Sequence, residues 1–256
     1  MPCAKQLTGR QEVDMPTKIE WCNSTWSPVT GCSPVSEGCA NCYAKRMALR
    51  LRGRYGYPAD DPFRVTFHEA RLFIPALWAK PRRIFVCSMA DLFHDEVTDA
   101  QRREVFSAID TCNWHTFIVL TKRPVNMAKY FQTRIARKNL WLGVTAENQA
   151  RADERIPVLL SIPAAVHFVS IEPMLGPVDF SPWLGITKVY HAGTTGYSKT
   201  YHPGLVNWII AGHETGPGAR TCKPEWIEDI WRQCKTAEIP FFDKSKTGWL
   251  ERKWPE

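Results

Sequence analysis

Residues 116–123 read TFIVLTKR, an apolar run rich in β-branched residues that ends on two positive charges. The run is apolar at consecutive positions, which predicts a strand with both faces buried, as in a parallel sheet covered by helices. Four other runs share this pattern, each followed by a turn and a helical segment: RIFVCS (83–88), LWLGVT (140–145), VHFVSI (166–171) and NWIIAG (207–212). Strands alternating with helices over 256 residues predict an α/β fold, a full or partial (β/α) barrel that forms a single domain.

Helix signals lie between the predicted strands. Thr98 and Gln101 have the spacing of a capping box ahead of an apolar stripe, and Pro224 suits the first turn of another amphipathic helix. Two segments break the alternation. Residues 181–206 are rich in Gly, Thr, Tyr and Pro, which predicts an inserted loop. We expect residues 1–16 to form a flexible N-terminal segment.

Composition indicates a folded, basic protein. The chain is 44% hydrophobic, and its 33 Lys and Arg exceed its 26 Asp and Glu, so the net charge is +7. This charge favours anionic partners such as nucleic acid or nucleotides. No stretch approaches the roughly 18 uninterrupted apolar residues of a membrane span, and the N-terminus lacks the apolar centre of a signal peptide. We therefore expect a cytoplasmic protein with no membrane partner.

Three cysteines, Cys32, Cys39 and Cys42, are clustered in the stretch GCSPVSEGCANCYAKR (31–46) with the spacing C-x6-C-x2-C. In a reducing compartment such a cluster predicts a metal site rather than disulfides. Two kinds of site fit. Zinc would need a fourth ligand, for which Cys22 or a histidine could serve, whereas a [4Fe-4S] cluster would use three thiolates and leave one iron open. The chain has no second Cys-x2-Cys pair, which favours the cluster.

Polar residues follow the predicted strands. Because the carboxyl ends of parallel barrel strands open onto one face, we expect these side chains to converge on one pocket beside the cysteines. An open iron there could bind the amino and carboxylate groups of S-adenosylmethionine, which electron transfer would split to a 5'-deoxyadenosyl radical. We assign cosubstrate binding to six residues: Tyr43, Ser88, Asp91, Lys122, Glu147 and Glu172.

Donor and acceptor chemistry supports these assignments. Carboxylates suit ribose hydroxyls and an ammonium group, and a lysine suits a carboxylate. The alternative for each charged residue is a salt bridge between neighbouring strand ends, for example between Lys122 and Glu147.

The motifs, in this order, resemble a widespread phage and bacterial family with a radical-SAM-like three-cysteine motif. The resemblance extends from Thr17 to Phe242. It rests on TKIEW and the cysteine stretch, KPRRIFVCSMADLFHDEV (80–97), HTFIVLTKRP (115–124), LWLGVTAENQARADERIPVLL (140–160), VHFVSIEPMLGPVDF (166–180) and WIIAGHETGPGAR (208–220). It implies a radical-SAM-like barrel in which the three cysteines hold the cluster.

The chain also departs from that family. Its first cysteine gap is wider than the common C-x3-C-x2-C spacing, which leaves the cluster type open. Members usually carry Gly-Gly-Glu and Lys-Gln-Trp where this chain has Gly-His-Glu (212–214) and Asp-Lys-Ser (243–245). These changes predict a different substrate at a retained cofactor site, with His213, Glu214 and Lys244 as catalytic residues that hold the substrate.

The resemblance to phage proteins implies a specific reaction. An amino-acid-adducted thymidine in phage DNA would be modified or isomerised, in the cytoplasm of an infected host, with a host flavodoxin or ferredoxin as reductant. The basic helix after the cysteines would contact the DNA phosphates. Two alternatives remain: a zinc-stabilised nucleic-acid-binding protein without catalysis, and a radical SAM enzyme that acts on a small nucleotide or amino acid.

Overall fold

The computed structural model describes residues 17–135, 137–184, 186–190, 197–201, 205–245 and 250–255. The strands are β1 (Ser24–Trp26), β2 (Val29–Thr30), β3 (Thr66–Phe67), β4 (Arg83–Val86), β5 (Thr116–Thr121), β6 (Leu140–Thr145), β7 (Val166–Ile171), β8 (Ile186–Tyr190), β9 (Tyr197–Tyr201), β10 (Trp208–Ala211) and β11 (Phe241–Asp243). The α-helices are α1 (Tyr43–Arg50), α2 (Asp99–Thr111), α3 (Pro124–Phe131), α4 (Gln149–Leu160) and α5 (Pro224–Ala237).

Seven strands form one sheet in the order β1-β4-β5-β6-β7-β10-β11, and all neighbours are parallel. Because this order follows the chain, every crossover runs in the same direction, and right-handed crossovers place the helices on one face. The sheet curls into a half-barrel with that face outside. The predicted α/β fold with a partial (β/α) barrel is therefore confirmed, and the five apolar runs form five of its seven strands, β4, β5, β6, β7 and β10.

Two helix starts follow the sequence signals. Thr98 caps α2: its side chain accepts a hydrogen bond from the Gln101 backbone, and the Gln101 side chain accepts one from the Thr98 backbone. Pro224 occupies the first turn of α5. Both helices cover the outer face of the sheet, where Phe106 of α2 and Ile230 of α5 are buried in the main core.

The inserted segment 181–206 contains more structure than the loop predicted from its composition. Its described part includes strands β8 and β9, which pair antiparallel as a two-stranded sheet apart from the half-barrel. The rest of the insertion, residues 185, 191–196 and 202–204, lies outside the described residues, and so does the predicted N-terminal segment 1–16.

The concave inner face of the sheet is filled by aromatic side chains. Trp141, Phe168, Trp208 and Phe242 project from β6, β7, β10 and β11 into one buried cluster. Gly143 makes room for this packing, because a Cβ atom there would lie 2.4 Å from the Phe168 ring. We call this cluster the aromatic floor.

The two ends of the described chain complete the floor. Trp21 packs edge-on against Trp208, and the Trp254 indole nitrogen donates to the Trp21 carbonyl at 3.0 Å. The segment around Arg252 also runs antiparallel to the edge strand β11. A ligand inside the half-barrel must therefore bind beyond the floor, towards the carboxyl ends of the strands. Within the described residues, none of the helices has the length and apolar character needed to cross a membrane.

Candidate functional site

The cysteine loop, residues 32–42, begins at the carboxyl edge of the sheet. Gly31 forms a parallel bridge with Ala90, just past β4, and α1 begins immediately after Cys42. Gly31 has a φ of +85°, and a Cβ atom there would lie 2.1 Å from the Arg64 carbonyl oxygen, so the chain can pass this point only with glycine. The sulfur-bearing residues Cys32, Cys39 and Cys42 are all half-buried.

A buried ion pair at the end of β6 holds the middle of the loop. Glu147 Oε1 accepts a hydrogen bond from Ser36 Oγ at 2.6 Å, and Arg155 Nη1 donates to Glu147 Oε2 at 3.0 Å. Glu147 and Arg155 are almost fully inaccessible to solvent. A Cβ atom on Gly38 would lie 2.2 Å from Glu147 Oε1, so the loop backbone packs directly on this carboxylate. Glu147 thus anchors the cysteine loop.

A buried arginine at the end of β5 contacts the first cysteine. Arg123 Nη1 donates to Cys32 Sγ at 3.5 Å, and Arg123 Nη2 donates to the Ser33 hydroxyl at 2.9 Å and to its carbonyl at 3.1 Å. Asp91 lies 3.6 Å from the guanidinium and accepts hydrogen bonds from the Thr121 hydroxyl at 2.7 and 2.9 Å. Asp91 therefore orients Arg123 towards the cysteine.

The pKa of the Cys32 thiol is raised above its usual value, chiefly by burial. Burial raises the pKa of the Cys32 thiol, the Asp91 carboxylate raises it further, and the Arg123 guanidinium lowers it. Since a metal ligand must be a thiolate, the arginine favours the form of Cys32 that binds iron or zinc. His94 adds a contact to the same segment, because its Nε2 lies 2.7 Å from the Ser33 hydroxyl oxygen.

The loop after β10 covers the cysteine loop from the other side. Glu214 Oε2 accepts hydrogen bonds from Asn41 Nδ2 at 3.0 Å and from Arg220 Nε at 2.9 Å. Arg220 Nη1 in turn donates to the Glu37 carbonyl at 2.9 Å. The Arg220 guanidinium is the main reason that the pKa of Glu214 is lowered to about 2. A carboxylate after β10 therefore stays ionised and connects to the residue just before Cys42.

A layer of polar residues lies above the aromatic floor. Side chains alternate along a strand, so the inner rows of β5, β6 and β7 continue into Lys122, Thr145 and Glu172. Lys122 Nζ donates to Thr145 Oγ1 at 3.4 Å, and Lys244 Nζ lies 2.5 and 2.6 Å from the Glu172 carboxylate oxygens. Gly212 allows this bridge, since a Cβ atom there would be 3.0 Å from the Lys244 Cβ.

The predicted site residues thus fall into two groups. Asp91, Glu147 and Glu214 hold the cysteine loop through Arg123, Ser36 and Asn41, while Lys122, Glu172 and Lys244 form the polar layer. Lys122 contacts Thr145 and does not pair with Glu147 as the sequence suggested.

Three predicted residues have fewer contacts. Ser88 and His213 are half-buried, and within the described ranges their side chains have no hydrogen-bond partner. Tyr43, the first residue of α1, is 57% exposed.

Three arginines of the site were given no role by the sequence reasoning: Arg123, which was noted only as a charge at a strand end, Arg155 and Arg220. The role of Arg155 could have been recognised from the sequence. Arg155 lies on the buried face of α4 with Ala152 and Ile156, and a cation on an apolar stripe requires a buried partner. Arg123 and Arg220 had no such signal, because their contacts lie on loops whose approach depends on the complete fold.

The donor chemistry of the cysteine loop suits a metal centre. Three half-buried cysteines lie on the loop, and Cys32 is beside a buried cation. Thiolates are ligands of both zinc and iron–sulfur clusters, so the residue types fit either group. Among the described residues, no group of three His, Cys, Asp or Glu side chains is arranged so that it could hold a metal ion.

Comparison with known proteins gives a family but no activity. No curated protein matches the chain, and no solved structure matches it either. The match to a protein family covers residues 16–255, which includes every strand of the half-barrel and the whole cysteine loop. The chain therefore belongs to the family described as "Protein of unknown function (DUF5131)".

Proposed function

We propose that the protein is a radical S-adenosylmethionine enzyme in which Cys32, Cys39 and Cys42 hold a [4Fe-4S] cluster. The observation that carries this proposal is the position of the cysteine loop. It lies across the carboxyl edge of a parallel half-barrel and contacts residues that follow three different strands: Arg123, Glu147 and Glu214. This is the edge at which barrel enzymes place their chemistry.

When bound, such a cluster supplies the electron that cleaves the sulfonium of S-adenosylmethionine to methionine and a 5'-deoxyadenosyl radical. The chain's own residues bind and orient the reactants. Lys122 offers an ammonium group to the cosubstrate's carboxylate, and Glu172 accepts from its amino group or ribose hydroxyls. The aromatic floor keeps water from the inner side of the pocket, where a carbon radical would otherwise be lost to side reactions.

The proposed substrate is an amino-acid-adducted thymidine in phage DNA, which is modified or isomerised after hydrogen abstraction beside the amino-acid nitrogen. His213 and Lys244 follow strands β10 and β11 and hold the adduct's carboxylate. Glu214 stays ionised through Arg220 and attracts the adduct's ammonium group. A one-electron reductant protein, of the flavodoxin or ferredoxin class, supplies the electron.

Anaerobic reconstitution with iron and sulfide tests the proposal. We expect about four irons per chain and a charge-transfer absorption band at about 400 nm. We also expect 5'-deoxyadenosine once reductant and cosubstrate are added. Cys39→Ala should abolish all three signals. Cys222→Ala is the matched control, because Cys222 is an equally half-buried cysteine outside the loop, and it should leave them intact.

The same experiment identifies the alternatives. A colourless protein with one zinc per chain would refute the cluster and support a zinc-stabilised nucleic-acid-binding protein. Iron with 5'-deoxyadenosine but no DNA product would retain the radical chemistry and move the substrate to a free nucleotide or amino acid.

A further inference from the structure

Helix α1 and the turn after it form a strongly basic surface that begins at the residue after Cys42. Residues 43–54 contain five cations and no carboxylate. These cations, which we call the basic ridge, are Lys45, Arg46, Arg50, Arg52 and Arg54.

The cations of the basic ridge lack acidic partners among the residues that the structure describes. Within the part of the chain that the structure describes, none of them forms an ion pair. Other exposed arginines do, as Arg64 does with Asp60 and Arg232 with Glu228. Three of the ridge cations donate to backbone carbonyls, which leaves their positive charge without a counter-charge. Five positive charges within twelve residues favour an anionic partner.

The fold fixes the direction in which the ridge faces. Ala44, Met47, Ala48 and Leu51 pack into a small core, so the cations occupy the remaining faces of the helix. A cavity of about 190 Å³ lies between this helix and the loop after β10, lined by Tyr43, Arg46, Met47, Arg50, Gly216 and Pro217.

The loop after β10 connects the ridge to the candidate site. Arg46 Nη2 donates to the Thr215 carbonyl at 3.0 Å, and Thr215 is the neighbour of Glu214, which contacts the cysteine loop through Asn41. Gly216 has a φ of +94°, and a Cβ atom there would lie 2.8 Å from the Arg46 guanidinium. The basic ridge and the cysteine loop therefore meet at one edge of the molecule.

Two exposed aromatic residues flank the cations. Tyr43 precedes Lys45 and is 57% exposed, and Tyr55 follows Arg54 and is 76% exposed. Positive charges that track a backbone, together with exposed rings on which bases can stack, are the features of surfaces that bind single-stranded nucleic acid.

We propose that the basic ridge binds the phosphate backbone of nucleic acid, with bases stacking on Tyr43 and Tyr55, and so directs one nucleotide to the cysteine loop. The choice of a polymer as substrate rests on the proposed function, whereas the binding itself does not. Binding should therefore survive in a protein whose cysteine loop can no longer hold a cluster.

The test measures binding of a labelled 20-nucleotide single strand, and of its duplex, over a range of salt concentrations. Lys45→Gln with Arg50→Gln is the test variant, because neither side chain donates a hydrogen bond within the described residues, so the fold should be unaffected. Arg103→Gln with Lys129→Gln is the control: it removes two exposed charges from α2 and α3 on the outer wall.

Each lost phosphate contact lowers the slope of log affinity against log salt by about 0.7 for a single strand. We therefore expect the test variant to reduce the slope by roughly 1.4 and to weaken binding about tenfold or more near 0.1 M salt. The control should change neither quantity. Cys39→Ala should bind DNA like the wild type, which separates failure of the cluster from failure of the ridge.

Three results would overturn the proposal: equal losses in the test and control variants, binding that does not depend on salt, or no binding to either DNA. If the ridge variant instead loses only the ability to accept electrons from a flavodoxin, the ridge is a docking surface for an acidic protein, and the nucleic-acid proposal is wrong.

Discussion

Replacing Arg123 by glutamine should make a bound cluster harder to reduce. The Arg123 guanidinium lies 3.5 Å from Cys32 Sγ and is 8% exposed, so solvent screens its charge poorly. Two unit charges about 4 Å apart interact by about 4 kcal/mol at an effective dielectric constant of about 20. An added electron would spread over the cluster and its ligands, so only part of its charge would lie near Arg123. A quarter to a half of that energy, about 1–2 kcal/mol, is therefore the attraction that the substitution removes.

That energy corresponds to a reduction potential lowered by roughly 40–90 mV for a one-electron couple. The substitution also leaves the buried Asp91 without its cation. Breaking a buried pair costs about 3–5 kcal/mol, and we expect the low end because Asp91 keeps hydrogen bonds from Thr121 and from the Phe93 and Lys122 backbones.

The assay is a redox titration of the reconstituted protein followed by electron paramagnetic resonance, with thermal unfolding measured in parallel. Arg123→Lys keeps the positive charge but lacks the planar guanidinium group. Its reduction potential should therefore stay close to that of the wild type, while the loss of the Ser33 hydrogen bonds lowers its stability. Arg103→Gln, at an exposed site on α2, is the control and should change neither quantity. A potential for Arg123→Gln within about 10 mV of the wild type would refute the electrostatic reasoning.

Three further predictions concern the loop anchors. Gly38→Ala should displace the cysteine loop and reduce iron binding, because its Cβ would meet the Glu147 side chain at 2.2 Å, whereas Gly176→Ala, with 3.6 Å to its nearest atom, should bind iron normally. Arg155→Met should lower the free energy of unfolding by about 3–5 kcal/mol, because it leaves the buried Glu147 carboxylate without its cation. Adding Glu147→Gln removes that charge and should recover part of the loss. Denaturant unfolding measures both variants, and a double variant less stable than the single one would contradict the ion-pair account. The pKa of Glu214 is lowered from its usual 4.5 to about 2, so its ionised carboxylate stabilises the fold above pH 4.5, and this stability is lost as the pH falls towards 2. Glu214→Gln should therefore flatten the decline in melting temperature between these pH values. An unchanged pH profile would count against the Arg220 contact.

The half-barrel could be predicted because its strands are buried on both faces. Runs such as residues 166–171 are inaccessible throughout and mostly apolar, and their buried His167 has a hydrogen-bond partner in the Ile162 carbonyl. This nearly continuous apolar pattern stands out against amphipathic helices. Strands β2 and β3 have only two residues each, and they fall within the short runs TWSPVT (25–30) and FRVTF (63–67), whose strand signal is weak. Strands β8 and β9 lie in a segment whose composition resembles a loop, so local patterns could not identify them.

The sequence could predict which edge of the sheet carries the candidate site, but not which side chains contact one another there. The alternation of side chains along β5 places Lys122 on the inner side of the sheet and Arg123 on the outer side. Only the tertiary fold brings the loops that carry Asp91 and Cys32 next to Arg123. Glu172 and Lys244 were both placed at strand ends, and their salt bridge depends on Gly212 between them. Sequence alone gave the residues that line the edge, and the geometry decided which side chains bind one another.

The contact between Trp21 and Trp254 has a consequence for the order in which a working protein is assembled. The hydrogen bond joins segments 233 positions apart. Closing so long a loop costs chain entropy, which only an already formed sheet can offset, so we expect the contact late in folding. Before that step the floor lacks the Trp21 and Trp254 rings, which pack against Trp208 and Phe242. Under the proposed function, a metal centre would meet its finished pocket only after both segments have docked.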